Sequence, residues 1–278
     1  MAAMAHGDPS LTALESYYDS APRSAARAEA FGPLTFFVRE AARGGAGFPF
    51  YARPAHGWTG RPANALDVVR VRARQRELGL PEAFEWVEET TPHLRAAVED
   101  AGLVTHAHPL MVLDPGAVLP DPHPLVRLVD ADDPALPGAL AVPYVAFAAP
   151  GTSVGAAGAE ELAARVLAQA DDGTVPAAAE RIRAGMTGLA AAVEGGGVLS
   201  SGRHNPVGDV SEIVAVGTLP AARRRGLGLA VTAALVADAR ARGVATVFLS
   251  ADDDQVARVY ARLGFVTVGT AMIAEPAP

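Results

Sequence analysis

The 278-residue sequence contains no cysteine, which excludes a disulfide framework, a thiol nucleophile and a thiolate metal site. It also lacks any uninterrupted apolar run of membrane-spanning length, and residues 1–10 do not show the basic-then-apolar order of a secretory leader. Positive charge is in short supply. Lys and Arg number 23 against 31 Asp and Glu, a formal charge of -8, which disfavours nucleic acid and anionic membrane as partners. What is abundant is apolar side chain, 50% of residues, ample for packed cores. The length suggests about two domains at ~150 residues each, and the cytoplasm is the expected location.

The most informative stretch is Arg223-Arg224-Arg225-Gly226-Leu227-Gly228. Before it, residues 211–219 are β-branched and short enough for a buried strand; after it, residues 229–242 form helix well and stop at Gly243. The turn therefore opens a helix, whose first N–H groups have no partner inside the helix and whose dipole attracts anions. A diphosphate can be bound there by backbone alone. Gly226 and Gly228 permit close approach, since a β-carbon at either would crowd the ligand.

Other phosphate sites fit less well. A Walker loop needs Lys-Ser/Thr after its last glycine, and no lysine follows Gly228. A dinucleotide fingerprint wants Gly or Ala three positions after the second glycine, where Val231 stands; Asp252, Asp253 and Asp254 keep a ribose contact open. Three arginines can also serve a nucleic-acid backbone, but here they lack a neighbouring basic stripe.

What remains resembles the GCN5-related N-acetyltransferase (GNAT) superfamily, whose coenzyme A motif runs Arg/Gln-x-x-Gly-x-Gly/Ala after the fourth strand. Arg223, Gly226 and Gly228 fill that pattern. Downstream, residues 244–250 read as a buried strand; Val256, Val259, Tyr260 and Leu263 recur at helical spacing before Gly264 and Phe265, similar to the family's closing Tyr-helix and Leu-Gly-Phe. The resemblance implies an α/β (α+β) fold with a mixed, mostly antiparallel sheet flanked by helices. It implies acetyl-CoA as co-substrate, no metal, and transfer to a primary amine, most simply of a small molecule, by direct attack in a ternary complex. Transfer of a longer acyl group or to a protein amine, and an acyl-CoA-binding regulatory or scaffold protein, are the other readings.

Residue roles follow from the resemblance. An alkylammonium of pKa ≈ 10.4 needs about 4–5 kcal/mol to lose its proton at neutral pH, so a base or water relay is required. Glu212, early in the fourth strand, occupies the position from which many relatives draw that base. Tyr260 would be the acid that protonates the leaving thiolate. Main-chain groups of Val216, Gly217 and Thr218 would hold the developing oxyanion and the pantetheine arm. Arg223, Arg224, Arg225, Gly226, Leu227, Gly228 and Leu229 would hold the diphosphate. Relatives often place Asn seven residues before the tyrosine; this chain has Asp253, suited both to capping the next helix and to the binding set.

Four prolines in ten positions, Pro115, Pro120, Pro122 and Pro124, mark a linker. Beyond it, a strand near 126–129, helices near 136–147, 160–170 and 176–186, and strands at 189–193, 198–202 and 211–219 follow one another as the family's sheet requires. Before it, Gly79-Leu80-Pro81, Phe84 to Val87, Leu94, Ala97 and Val98, then Gly102-Leu103 repeat the order of events seen from Gly243 to Phe265. The halves look like copies, with Val98 where the second copy has Tyr260 and no Arg-x-x-Gly-x-Gly within residues 57–62. The expected division is a degenerate GNAT-like domain at 1–118 and a catalytic one at 119–278.

His106 and His108 alternate on an expected strand and share a face, yet no third metal ligand is spaced to join them. His56 and His204, in polar stretches with glycine, read as surface residues. Tyr17, Tyr18, Tyr51, Trp58 and Tyr144 suit either an acceptor pocket or a core. A homodimer is left open.

Overall fold

The computed structural model describes residues 9–40 and 51–277; most of residues 1–10, where the leader was sought, fall outside them. The chain divides into two compact units. Unit 1 comprises Met1–Leu110 and Thr267–Pro278, and unit 2 is Met111–Val266. The sequence reading put its division at 118/119, whereas the compact units part at 110/111 and again at 266/267, so the last residues fold with the first.

Unit 1 opens with helix α1 (Pro9–Ser20), then strands β1 (Ala26–Phe31), β2 (Leu34–Arg39) and β3 (Ala52–Pro54), helix α2 (Ala65–Glu77), strand β4 (Phe84–Val87), helix α3 (His93–Asp100) and strand β5 (Val104–Leu113). The β1–β2 hairpin turns at Gly32, whose φ of 66° costs a glycine little. α2 starts where Asn64 accepts from the N–H groups of Leu66 and Asp67, while Asp67 accepts from the Asn64 N–H, a reciprocal cap. Its sheet runs β1-β2-β3-β4-β11, where β11 is the last strand, Phe265–Glu275. β4 pairs antiparallel with β11, Trp86 opposite Met272. The core gathers Leu34, Phe36, Val68, Phe84, Trp86 and Leu94 beneath that sheet. His106 lies on β5 with Nε2 3.7 Å from Glu275, an ion-pair distance if the ring is protonated.

Unit 2 continues with strand β6 (Val126–Leu128), helices α4 (Leu136–Phe147), α5 (Ala159–Ala168) and α6 (Thr174–Arg183), strands β7 (Gly188–Glu194), β8 (Gly197–Val207) and β9 (Val210–Thr218), helix α7 (Leu227–Ala241), strand β10 (Thr246–Ser250) and helix α8 (Asp254–Ala261). Its strands lie in the order β10-β9-β8-β7-β6, and only β9 and β10 pair parallel. A parallel pair needs a crossover, which α7 supplies. The β7–β8 turn is Gly195-Gly196, with φ of 58° and 82°, the left-handed pair that a tight hairpin demands. α7 buries Leu227, Val231, Leu235, Val236 and Ala239 against the sheet, and α4 packs on β8 and β9.

The strand-helix-strand succession β4-α3-β5 of unit 1 has its counterpart in β10-α8-β11. His204 corrects the surface reading. Residues 202–206 contain Gly, Asn and Pro, weak strand formers, but β8 runs through them to Val207, and His204 is fully buried on it. Its Nε2 lies 2.8 Å from Asp238 Oδ2 on α7 and its Nδ1 2.8 Å from Ser211 Oγ on β9. An ionised Asp238 only accepts, so Nε2 carries the proton and Nδ1 accepts from Ser211.

Candidate active site in the second unit

β9 is not a regular strand. Ser201 pairs with Gly217 and Arg203 with Val214, so Ala215 and Val216 together stand opposite Gly202 alone, a β-bulge. Ala215 sits at φ 55°, left-handed and without the freedom of glycine. The bulge presses Val216 onto Gly202: a β-carbon there would lie 2.9 Å from Val216 Cγ2 and 3.1 Å from Leu235 Cδ1. One residue on, Gly217 lets α4 close in, since its β-carbon would meet Ala146 Cβ at 2.9 Å. The strand is thus kinked at Ala215, where its ladder is broken, and clamped at Gly217.

At the far end of β9 a 3-10 turn, Pro220–Ala222, leads to the arginine and glycine stretch. Arg224 has φ 67° and Gly226, the residue preceding α7, has φ 76°. Left-handed residues alternating with right-handed ones turn successive N–H groups toward one point, a nest for anions. No side chain caps the first turn of α7, so that helix end is not closed by the protein itself. A β-carbon on Gly228 would approach Thr218 Oγ1 to 3.3 Å, which keeps the groove beside the turn narrow.

The three arginines have different duties. Arg223 turns its guanidinium onto main-chain carbonyls: Nη2 donates to Ala146 O at 2.9 Å and Ala149 O at 2.6 Å, Nη1 to Ser153 O at 3.2 Å, and Nε to Thr218 O at 3.4 Å. It ties the end of α4 and the following loop to β9. Arg225 forms a two-pronged pair with Glu194, at 2.8 and 3.1 Å, which lowers the Glu194 pKa. Arg224 is exposed. Leu227 is buried under the turn and Leu229 is half-buried.

Tyr260 lies on α8, half-buried, with its ring edge-on to Phe265 at 6.1 Å between centroids. Its phenol is pushed up to about 12 by burial alone, so it keeps its proton throughout the neutral range. Asp253 caps α8, its Oδ1 accepting from Val256 N at 2.8 Å. Glu212 is half-buried on β9 opposite Asn205. A cavity of about 600 Å³ beside the turn is lined by apolar residues of α4, α5 and β8 and by Arg225. Neither Glu212 nor Tyr260 lines it. Ala215, Gly202 and Arg203 were missed from sequence; for the first two only the strand register reveals them.

The architecture is that of a tandem GNAT fold. Over 99% of this chain and 98% of the other, it superposes on a GCN5-related N-acetyltransferase from Kribbella flavida with a TM-score of 0.67 at 22% identity. It superposes on a putative acetyltransferase from the GNAT family of Novosphingobium aromaticivorans over 97% and 98% (TM-score 0.54, 16% identity). A tandem GNAT protein from the clavulanic acid biosynthesis pathway matches over 96% and 88% (TM-score 0.51, 18% identity). No curated protein matches the sequence. Residues 204–272 match the family described as FR47-like protein. The likeness to solved structures is thus one of fold, and the family match is confined to the C-terminal quarter of the chain.

Proposed function

We propose that unit 2 is an acetyl-CoA-dependent N-acetyltransferase acting on a primary amine of a small molecule, by direct attack in a ternary complex. One observation carries the reading: β9 is bulged at Ala215 and ends in a left-handed turn at an uncapped helix N-terminus, so a single strand offers main-chain groups at both places where an extended thioester needs them. Acetyl-CoA would supply the acyl group already activated as a thioester. The turn at 223–228 and Leu229 would take the diphosphate, chiefly by backbone; Gly226 and Gly228 fit because a β-carbon would strain one and crowd the other.

The broken ladder at Ala215 and Val216 would direct an N–H at the developing oxyanion, with Gly217 and Thr218 continuing beside the ligand's arm. Glu212 would accept the ammonium proton directly or through water. Tyr260 would donate to the departing sulfur. A phenol near 12 is a weak acid toward a thiol of ordinary pKa ≈ 8.5 in water, but the same dry surroundings raise the thiol as well, which narrows the gap. Holding both reactants in one cleft supplies much of the remaining acceleration.

Release of free CoA, assayed over a panel of primary amines, tests this. Tyr260→Phe should lower kcat on the order of 100-fold while leaving the acetyl-CoA dissociation constant within about threefold. Equal turnover by the variant would remove Tyr260 from the role, and saturable acetyl-CoA binding with no transfer to any amine would favour a regulatory CoA-binding protein.

A further inference from the structure

Side chains on β8 alternate between two helices. Ser201 Oγ donates to Ala139 O of α4 at 2.6 Å, whereas Gly202 faces Leu235 and His204 faces Asp238, both on α7. Arg203 therefore points to the α4 side. There its charge is felt by Tyr144 on α4, Arg181 on α6 and Glu212 on β9. Arg203 pairs with Val214 and Asn205 with Glu212, so Arg203 and Glu212 are diagonal neighbours on one face, with main chains roughly 7–8 Å apart.

Arg203 donates no hydrogen bond and forms no ion pair among the described residues. Burial pulls its pKa below the ordinary arginine value; Tyr144 opposes that, Arg181 adds to it, and Glu212 opposes it. A desolvated guanidinium that no group bonds directly is costly even with Glu212 nearby, and an anion that bonds it offsets that cost. The diphosphate of CoA is not that anion: Val214 lies four residues, roughly 13 Å of strand, before the end of β9, and the phosphate turn comes only after that end.

We propose that Arg203 binds the carboxylate of the acceptor while Glu212 faces its amine, so that the acceptors are amino acids or similar small aminocarboxylates. This rests on the acetyltransferase reading above. The planar guanidinium matches a carboxylate in a two-pronged pair, and Glu212, its diagonal neighbour on the same face, would meet the other end of one small zwitterion. Tyr144, 37% exposed on α4, stands at the same place and would contact the acceptor's side chain.

The test compares glycine, glutamate, phenylalanine and 4-aminobutyrate with their carboxamides, by free-CoA release and, without turnover, by calorimetry. At least one free acid should exceed its carboxamide by on the order of 100-fold in kcat/KM. Arg203→Gln should cancel that preference by slowing the acid and leaving the carboxamide within about threefold, and Arg203→Lys should restore part of it. Circular dichroism confirms that both variants are folded. Carboxamides used as well as acids, or a preference that survives Arg203→Gln, overturns the proposal while acetyl transfer stands. Saturable binding of an acid that Arg203→Gln abolishes, with no transfer to any amine, would keep the carboxylate site and overturn the transferase reading. Neither binding nor transfer overturns both.

Discussion

Gly188→Ala should loosen the second unit far more than a single methyl group suggests. Gly188 opens β7 beside the buried His204, and a β-carbon there would collide with His204 Nε2 and Asp238 Oδ2. Relief requires the imidazole and carboxylate to separate, giving up a 2.8 Å bond to a charged group worth about 1.5–3 kcal/mol. The displaced ring must also be accommodated in a packed interior, at about 1–3 kcal/mol. A total of at least about 2.5 kcal/mol speeds hydrogen exchange by roughly 70-fold or more for amides that open with the β7, β8 and α7 segment. Exchange followed by mass spectrometry on peptides from β8 and α7 measures it, and peptides from α2 in unit 1 serve as the internal reference. Removing the ring as well, in Gly188→Ala with His204→Ala, should cost less than the two single changes added together, because the collision disappears. Unchanged exchange in β8 and α7 would refute the argument that Gly188 exists to make room for this pair.

Glu85 gives a pH signature in unit 1. Burial raises its carboxyl to about 7 against 4.5 for the free group, with Arg53 opposing in part. The unfolded chain thus loses its proton first, so this contribution is fully present below about 4.5 and is lost as pH rises through about 7, up to about 3 kcal/mol at 1.36 per unit. Glu85→Gln should raise the urea midpoint at pH 8 and leave it nearly unchanged at pH 4.5, followed by the fluorescence of its neighbour Trp86; an equal effect at both pH values counts against burial as the cause. Arg223→Ala leaves the carbonyls of Ala146, Ala149, Ser153 and Thr218 without that donor and should destabilise unit 2 by about 2 kcal/mol. Acetyl-CoA affinity in that variant, measured by calorimetry below its melting range, should fall less than tenfold; a larger loss with little destabilisation would give the Arg223 side chain to the ligand instead.

The phosphate turn, α7 and α8 were readable because each has its own punctuation: Gly226 before α7, Gly243 after it, Asp253 before α8 and Gly264 after it. The bulge was not readable. Alanine at 215 carries no sign of a left-handed backbone, and only the register between β8 and β9 forces it there. His204 was misread as a surface residue and Arg203 escaped notice for a related reason: Gly202, Asn205 and Pro206 have weak strand propensity, and tertiary pairing overrides it. Glycines 188, 202 and 217 likewise report close approaches of side chains and helices distant in sequence. Arg223 shows the converse, since its motif was plain but its guanidinium is engaged with carbonyls some 70 residues earlier.

The central claim is that the turn at 223–228 cradles the diphosphate of acetyl-CoA, and titration calorimetry of acetyl-CoA into the wild type and Gly226→Val tests it most directly. Valine is strongly disfavoured at the φ of 76° that Gly226 adopts, so the nest would be distorted where its N–H groups converge. The account predicts saturable binding by the wild type and at least about tenfold weaker binding by the variant, with circular dichroism showing that the variant keeps its fold. Equal affinity in both proteins, or no binding by the wild type, would contradict it.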